Sequence, residues 1–161
     1  MSPTSLFTVG YEGADLESLI DCLGEARVTT LVDVRELPLS RKRGFSKGAL
    51  SSALRDAGIG YVHMRSLGCP REIRLRYRSD RSWARYTQDF LDFLSTQQGA
   101  VDDLAALARG QACCVMCFEA DFTACHRTYV ARAAHGAGGP TVMHLRIGAP
   151  PLRDSQVGIA T

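Results

Sequence analysis

Two cysteines, two acids, a histidine and an arginine crowd into "CFEADFTACHR", residues 117–127. Three chemistries suit such a cluster. Cys117, Cys125 and His126, with Cys114 completing a CxxC, resemble a zinc ligand set. Cys117 and Cys125 could instead be redox-active or nucleophilic thiols, because positive charge and a helix start favour thiolate over thiol. The third possibility is a capped helix start whose cysteines are incidental, with Asp121 or Thr123 as the N-cap.

The preceding "CCVMC" reads as the interior of a strand. Residues three apart in a strand face opposite ways, so Cys114 and Cys117 cannot share a metal. Cys113 and Cys114 are then small core residues. The expectation is a site without metal and without cofactor. A set of Cys117, Cys125, His126 and a distant histidine stays open. With Thr123 as cap, Cys125 falls at the second helical position. Glu119 is placed to move protons, so the catalytic candidates are Cys117, Cys125, Glu119 and His126.

These groups must be positioned by the surrounding elements. Strand-like runs at residues 6–11, 29–35, 59–64, 112–118 and 141–147 alternate with amphipathic stretches. Ser46 starts one helix and Gly58 stops it, while Gly110 and Gly136 stop two others. Regular alternation predicts a single three-layer α/β/α domain, Rossmann-like, with a mostly parallel sheet of about five strands. The domain is expected over residues 1–147. Residues 148–161 have paired prolines and no period, and read as a loose tail. The segment around residues 65–81 has no clear period either and reads as a long loop.

Open parallel sheets bind ligands at the carboxyl ends of their strands. Those ends carry Gly10, Tyr11 and Glu12; Asp33 and Arg35; His63 and Arg65; Cys117 and Glu119; His144 and Arg146.

The formal charge of +2 conceals an asymmetry. Residues 1–40 carry a net −5, residues 41–90 set twelve Lys or Arg against four acids for +8, and residues 91–161 carry −1. A basic middle suggests an anionic ligand. Arginine forks suit phosphate, and Tyr77, Trp83 and Tyr86 lie among the arginines where they could stack on a base. Ligand-binding candidates are Gly10, Tyr11, Asp33, Arg35, Arg41, Arg43, Arg65 and Arg127. The partner is a phosphate-bearing small molecule or nucleic acid, and no oligomeric state is legible. No P-loop, GxGxxG or recognition-helix pattern occurs, which argues against sequence-specific DNA binding. No apolar run suits a membrane span, and the first residues do not read as a secretory signal, so the expected location is cytoplasmic.

"TVGYEG", "LVDVRELPLSRKRGFSKGAL", "GIGYVHMRSLG", "CFEADFTACHR" and "VMHL" together resemble the bacterial and archaeal family named domain of unknown function 488. The resemblance runs from Phe7 to Leu145. It implies a compact α/β fold with no settled activity and a site at Gly10, Asp33, Arg35, Cys117, Glu119 and the Cys125-His126-Arg127 "CHR" motif. Cys69 after Gly68 departs from the Gly-Gly of relatives. "LVDVRE" also resembles rhodanese sulfurtransferases, but the stretch expected after it is absent and the interval from Cys117 to Arg127 is longer. The residues point to a thiol-dependent enzyme acting on an anionic ligand. The alternatives are a nucleotide or nucleic-acid binding module with structural or redox-sensing cysteines and, as a minor reading, rhodanese-like sulfur transfer.

Overall fold

A computed structural model describes residues 3–154. β1 (Ser5–Gly10), α1 (Leu16–Glu25), β2 (Thr30–Asp33), α2 (Lys47–Asp56) and β3 (Gly60–His63) build the first half. α3 (Arg71–Asp80), α4 (Trp83–Ser95), α5 (Gln98–Gly110), β4 (Cys113–Cys117), α6 (His126–Gly136), β5 (Thr141–Arg146) and β6 (Ala149–Arg153) follow. The strands form one sheet in the order β3-β2-β4-β1-β5-β6. β1 to β5 run parallel, and β6 pairs antiparallel with β5 at the edge.

Strand alternation divides the core into two layers. Cys113, Val115 and Cys117 of β4 pack with Phe90 of α4, Leu104 of α5 and Val130 of α6. Cys114 and Met116 pack on the opposite face with Leu19 and Leu23 of α1 and Leu50 and Leu54 of α2. Each fully buried leucine contributes about 1.5–3 kcal/mol relative to exposure. Cys113 and Cys114 are both fully buried, as expected of core residues.

Strand order then locates the crevice. β4 lies between β2 and β1. The helices that follow β1 and β2 pack on one face of the sheet, and the helix that follows β4 packs on the other. Chains leaving adjacent strands toward opposite faces open a gap at the carboxyl edge. Cys117 ends β4 in that gap, in register with Gly10 at the end of β1.

Two expectations are corrected. Residues 71–80 form helix α3 rather than a loop. Its side chains include none that is fully buried, so apolar periodicity is missing from the sequence. Partly buried Ile73 and Tyr77 seat it on the core, and Arg81, with φ of 55°, ends it in the left-handed conformation.

The tail is not loose from residue 148 onward. Residues 149–153 form β6, and the buried Asp154 carboxylate is held by Arg132 at 2.8 Å and His144 at 2.9 Å. Residues 155–161 lie outside the described residues. Among the described residues no helix is long and apolar enough to cross a membrane.

Asp154→Asn leaves Arg132 and His144 facing a neutral amide in a buried setting. It is expected to cost about 3 kcal/mol in urea unfolding. A cost below about 1 kcal/mol, the range of exposed ion pairs, would mean that β6 is only loosely attached.

Candidate functional site

β4 delivers Cys117 to the strand edge, and the chain turns through Asp121 into α6. Asp121 caps a short 3₁₀ turn, Phe122–Ala124, by accepting from the Thr123 amide. Cys125 is itself the N-cap of α6, and its sulfur accepts the Arg127 N–H at 3.5 Å. This corrects the expectation of a Thr123 cap with Cys125 inside the helix. The electrostatic consequence survives, because an N-cap atom meets the free N–H groups directly.

The Cys117 and Cys125 sulfurs lie in contact, with their Cα atoms 7.6 Å apart. Cα atoms joined through a disulfide usually lie about 4.4–6.8 Å apart. The structure places the two sulfurs at disulfide contact, at a Cα spacing wider than a relaxed disulfide takes, so reduction would free both as thiols. Both residues are nearly inaccessible, at 1% and 2% exposure.

Three groups surround the sulfurs. Arg127 is fully buried and donates from Nη1 to the Cys117 sulfur at 3.2 Å. The same guanidinium donates to the carbonyls of Glu119 and Ala120, tying the loop to the helix. Its Nε is the one buried side-chain polar atom without a partner among the described residues. Burial lowers the Arg127 pKa to about 10, which leaves it cationic at neutral pH.

The Glu119 carboxylate lies 3.4 Å from the Cys117 sulfur, and burial raises its pKa. His126 pairs through Nε2 with the Val34 carbonyl at 2.8 Å. Burial lowers its pKa to about 4, so the ring is neutral. Since a carbonyl only accepts, Nε2 carries the proton and Nδ1 presents a lone pair, 3.8 Å from the Cys125 sulfur. The ligand atoms of Cys117, Cys125 and His126 all lie within 4.8 Å of one another, the spacing of groups that could hold a metal ion.

A cavity of about 560 Å³ opens above this cluster. Cys117, Glu119 and His126 border it together with Tyr11, Cys69 and the exposed Phe118. Its far wall is the α3–α4 corner, with Arg74, Tyr77, Arg78, Arg81, Trp83 and Tyr86. Trp83 and Tyr86 stack with ring centres 4.7 Å apart. Arg74 is occupied by Glu36 and by the Cys69 carbonyl. Arg78 and Arg81 are exposed and make no ion pair among the described residues.

Asp33 and Arg35 form a buried pair, and Arg35 also borders the cavity. Nε and Nη2 of Arg35 donate to both Asp33 oxygens at 2.9 and 2.7 Å. Nη1 donates to Tyr11 Oη at 3.1 Å and to the Phe45 carbonyl at 2.7 Å. Four of its five N–H groups are thus committed. Asp33 also accepts from Tyr61 and is fully buried, so no ligand reaches it.

Gly10 serves packing, since a Cβ there would overlap the Glu119 backbone. Tyr11 is buried at the cavity wall, stacked on Phe45. Arg127 lies beneath the sulfurs rather than on the ligand side. Arg41, Arg43 and Arg65 are exposed and do not border the cavity. Their place is taken by Arg74, Arg78 and Arg81. Only the basic and aromatic composition of residues 71–86 signalled those three.

Fold and site define a class: an α/β protein with a buried cysteine pair at the switch point of a mostly parallel sheet. The chain belongs to the family described as domain of unknown function DUF488, which matches residues 15–134. The matched span takes in Asp33, Arg35, Cys117, Glu119 and the Cys125-His126-Arg127 run. No curated protein and no solved structure matches the chain.

Removing one partner of a buried ion pair leaves the other charge uncompensated. Arg35→Ala should therefore lower unfolding stability by about 3–5 kcal/mol. Arg81→Ala, on an exposed side chain, should stay within about 0.5 kcal/mol. Urea titration of both variants is the check, and comparable costs would contradict the division into structural and free arginines.

Proposed function

We propose that the protein is a thiol-dependent enzyme acting on a phosphate-bearing small molecule, of nucleotide size, held in the cavity over Cys117. The observation that carries this reading is the Cys117 sulfur. It sits between a buried guanidinium at 3.2 Å and a carboxylate at 3.4 Å, on the floor of a cavity rimmed by uncommitted arginines. Arg127 and the start of α6 favour thiolate over thiol. Glu119 accepts the thiol proton and can return it. Its raised pKa keeps that exchange closer to neutral pH than an ordinary glutamate would.

Anion binding falls to Arg78 and Arg81, with Trp83 and Tyr77 offering an aromatic wall for a planar group. A volume of about 560 Å³ suits a mononucleotide better than a duplex, since small-molecule pockets span roughly 300–1,000 Å³. A reducing, cytoplasmic setting agrees with this use of Cys117 and of Cys125 in the "CHR" motif as thiols.

The second reading is a nucleotide or nucleic-acid binding module with structural or redox-sensing cysteines. The low exposure of both sulfurs favours it.

Thermal-shift measurements with inorganic phosphate and a nucleotide panel test the proposal. Wild type should be stabilised by at least one phosphorylated compound. Arg78→Ala combined with Arg81→Ala should weaken that binding by about 1.5–3 kcal/mol, more at low salt than at high salt. Cys117→Ser should bind as wild type does. No stabilisation by any phosphorylated compound would remove the ligand assignment. Normal binding without any turnover to lose would favour the module.

A further inference from the structure

The donor set Cys117 Sγ, Cys125 Sγ and His126 Nδ1 is a binding site for a divalent ion of the zinc class, we infer, with its fourth position facing the cavity. The inference deepens the proposed function by giving the two thiolates a shared task, and it rests on that reading only for what enters the cavity. The expectation of a metal-free site came from the CxxC formed with Cys114. That argument removes Cys114, which packs on the opposite face of the sheet. It does not touch the three donors that the turn into α6 brings together.

Geometry supports the set. Zn–S bonds of about 2.3 Å and Zn–N bonds of about 2.0 Å put tetrahedral ligand atoms roughly 3.5–3.8 Å apart. Cys125 Sγ and His126 Nδ1 are already 3.8 Å apart, and all three donors fall within 4.8 Å. The sulfurs, in contact here, must part to admit the ion. Cα atoms 7.6 Å apart leave room for that without moving the sheet.

Surrounding groups point the same way. A ligating histidine commonly donates its other ring N–H to a carbonyl, which fixes the tautomer and turns the lone pair on the metal. His126 does this with Val34. Amide and guanidinium donors to metal-bound sulfur are present as well, from Arg127 N to Cys125 and from Arg127 Nη1 to Cys117.

Donor chemistry selects the ion. Two sulfurs and one imidazole nitrogen suit zinc and its neighbours among the transition metals, not calcium or magnesium, which take oxygen ligands. Binding takes both sulfurs as thiolates and releases any proton that either still carries, with no change of oxidation state. Three protein ligands with an open fourth position is the pattern of catalytic rather than structural zinc. Cys117 and His126 both border the cavity, which places that position within reach of its contents.

Cobalt and zinc titrations of the full chain, reduced and freed of metal, test the site without any cavity ligand. A single equivalent of cobalt should produce thiolate-to-metal charge-transfer absorption, and zinc should displace it. Cys117→Ser and Cys125→Ser should abolish the absorption, and His126→Gln should weaken affinity at least about tenfold. Cys22→Ser, on the half-buried face of α1, should bind as wild type does. Should a site variant fail to fold, wild type alone gives the answer: zinc should slow alkylation of Cys117 and Cys125 while leaving Cys22 unchanged. Folded wild type that takes up no metal, or unchanged affinity in Cys125→Ser, overturns the inference. Phosphate and nucleotide shifts on metal-free protein are read separately, so loss of the metal site does not stand for loss of the ligand site.

Discussion

A guanidinium with no exposure to solvent has to be met by the protein, and Arg127 is such a group. Burying an ion costs several kcal/mol unless its donors are satisfied. Nη1 and Nη2 are satisfied by the Cys117 sulfur and by the carbonyls of Glu119 and Ala120. Those contacts close the loop between β4 and α6 over the end of the sheet. They set Glu119 beside Cys117 and draw the N-cap Cys125 toward it. The close fit of this loop against β1 also explains why residue 10 carries no side chain. The proposed thiol chemistry draws on the positive charge that the loop encloses.

A second buried cation performs a different task. Arg35 is spent on Asp33, Tyr11 and Phe45, and so fixes the wall between β2 and the loop leading to α2. The two inward arginines thus hold the crevice open, and the outward Arg78 and Arg81 give its rim a positive field. Arginine count alone would have merged these roles. Burial separates them: Arg35 has spent four of its five N–H groups inside the fold, whereas Arg78 and Arg81 are exposed.

The parts of this arrangement that are local were legible in the residues. Alternation along "CCVMC" placed Cys113 and Cys114 in the core and Cys117 at the edge, because strand period is fixed by backbone geometry. Alternating strands and helices gave the parallel sheet, the carboxyl-edge rule gave Cys117 and Glu119, and the crowding of "CFEADFTACHR" gave His126. What failed depended on contacts distant in sequence. Arg35 reads as a ligand residue until the Phe45 carbonyl is seen to occupy it. α3 lacks an apolar stripe, and Ile73 and Tyr77 pack it on the core, so periodicity had little to detect. Paired prolines in "APPLR" disguised an edge strand, a place where proline is tolerated. Cys125 as its own helix cap was not foreseen, because serine, threonine, asparagine and aspartate fill that position far more often.

The proposed function depends on Arg127 making the reduced Cys117–Cys125 pair an ionised thiol site at neutral pH. Ultraviolet thiolate absorbance of reduced, metal-free protein measures it directly, compared between wild type and a folded Arg127→Gln variant. The account predicts thiolate absorbance at neutral pH in wild type that disappears in Cys117→Ser and falls sharply in Arg127→Gln. Wild type with no thiolate until well into the alkaline range, or an Arg127→Gln spectrum indistinguishable from it, would contradict the account.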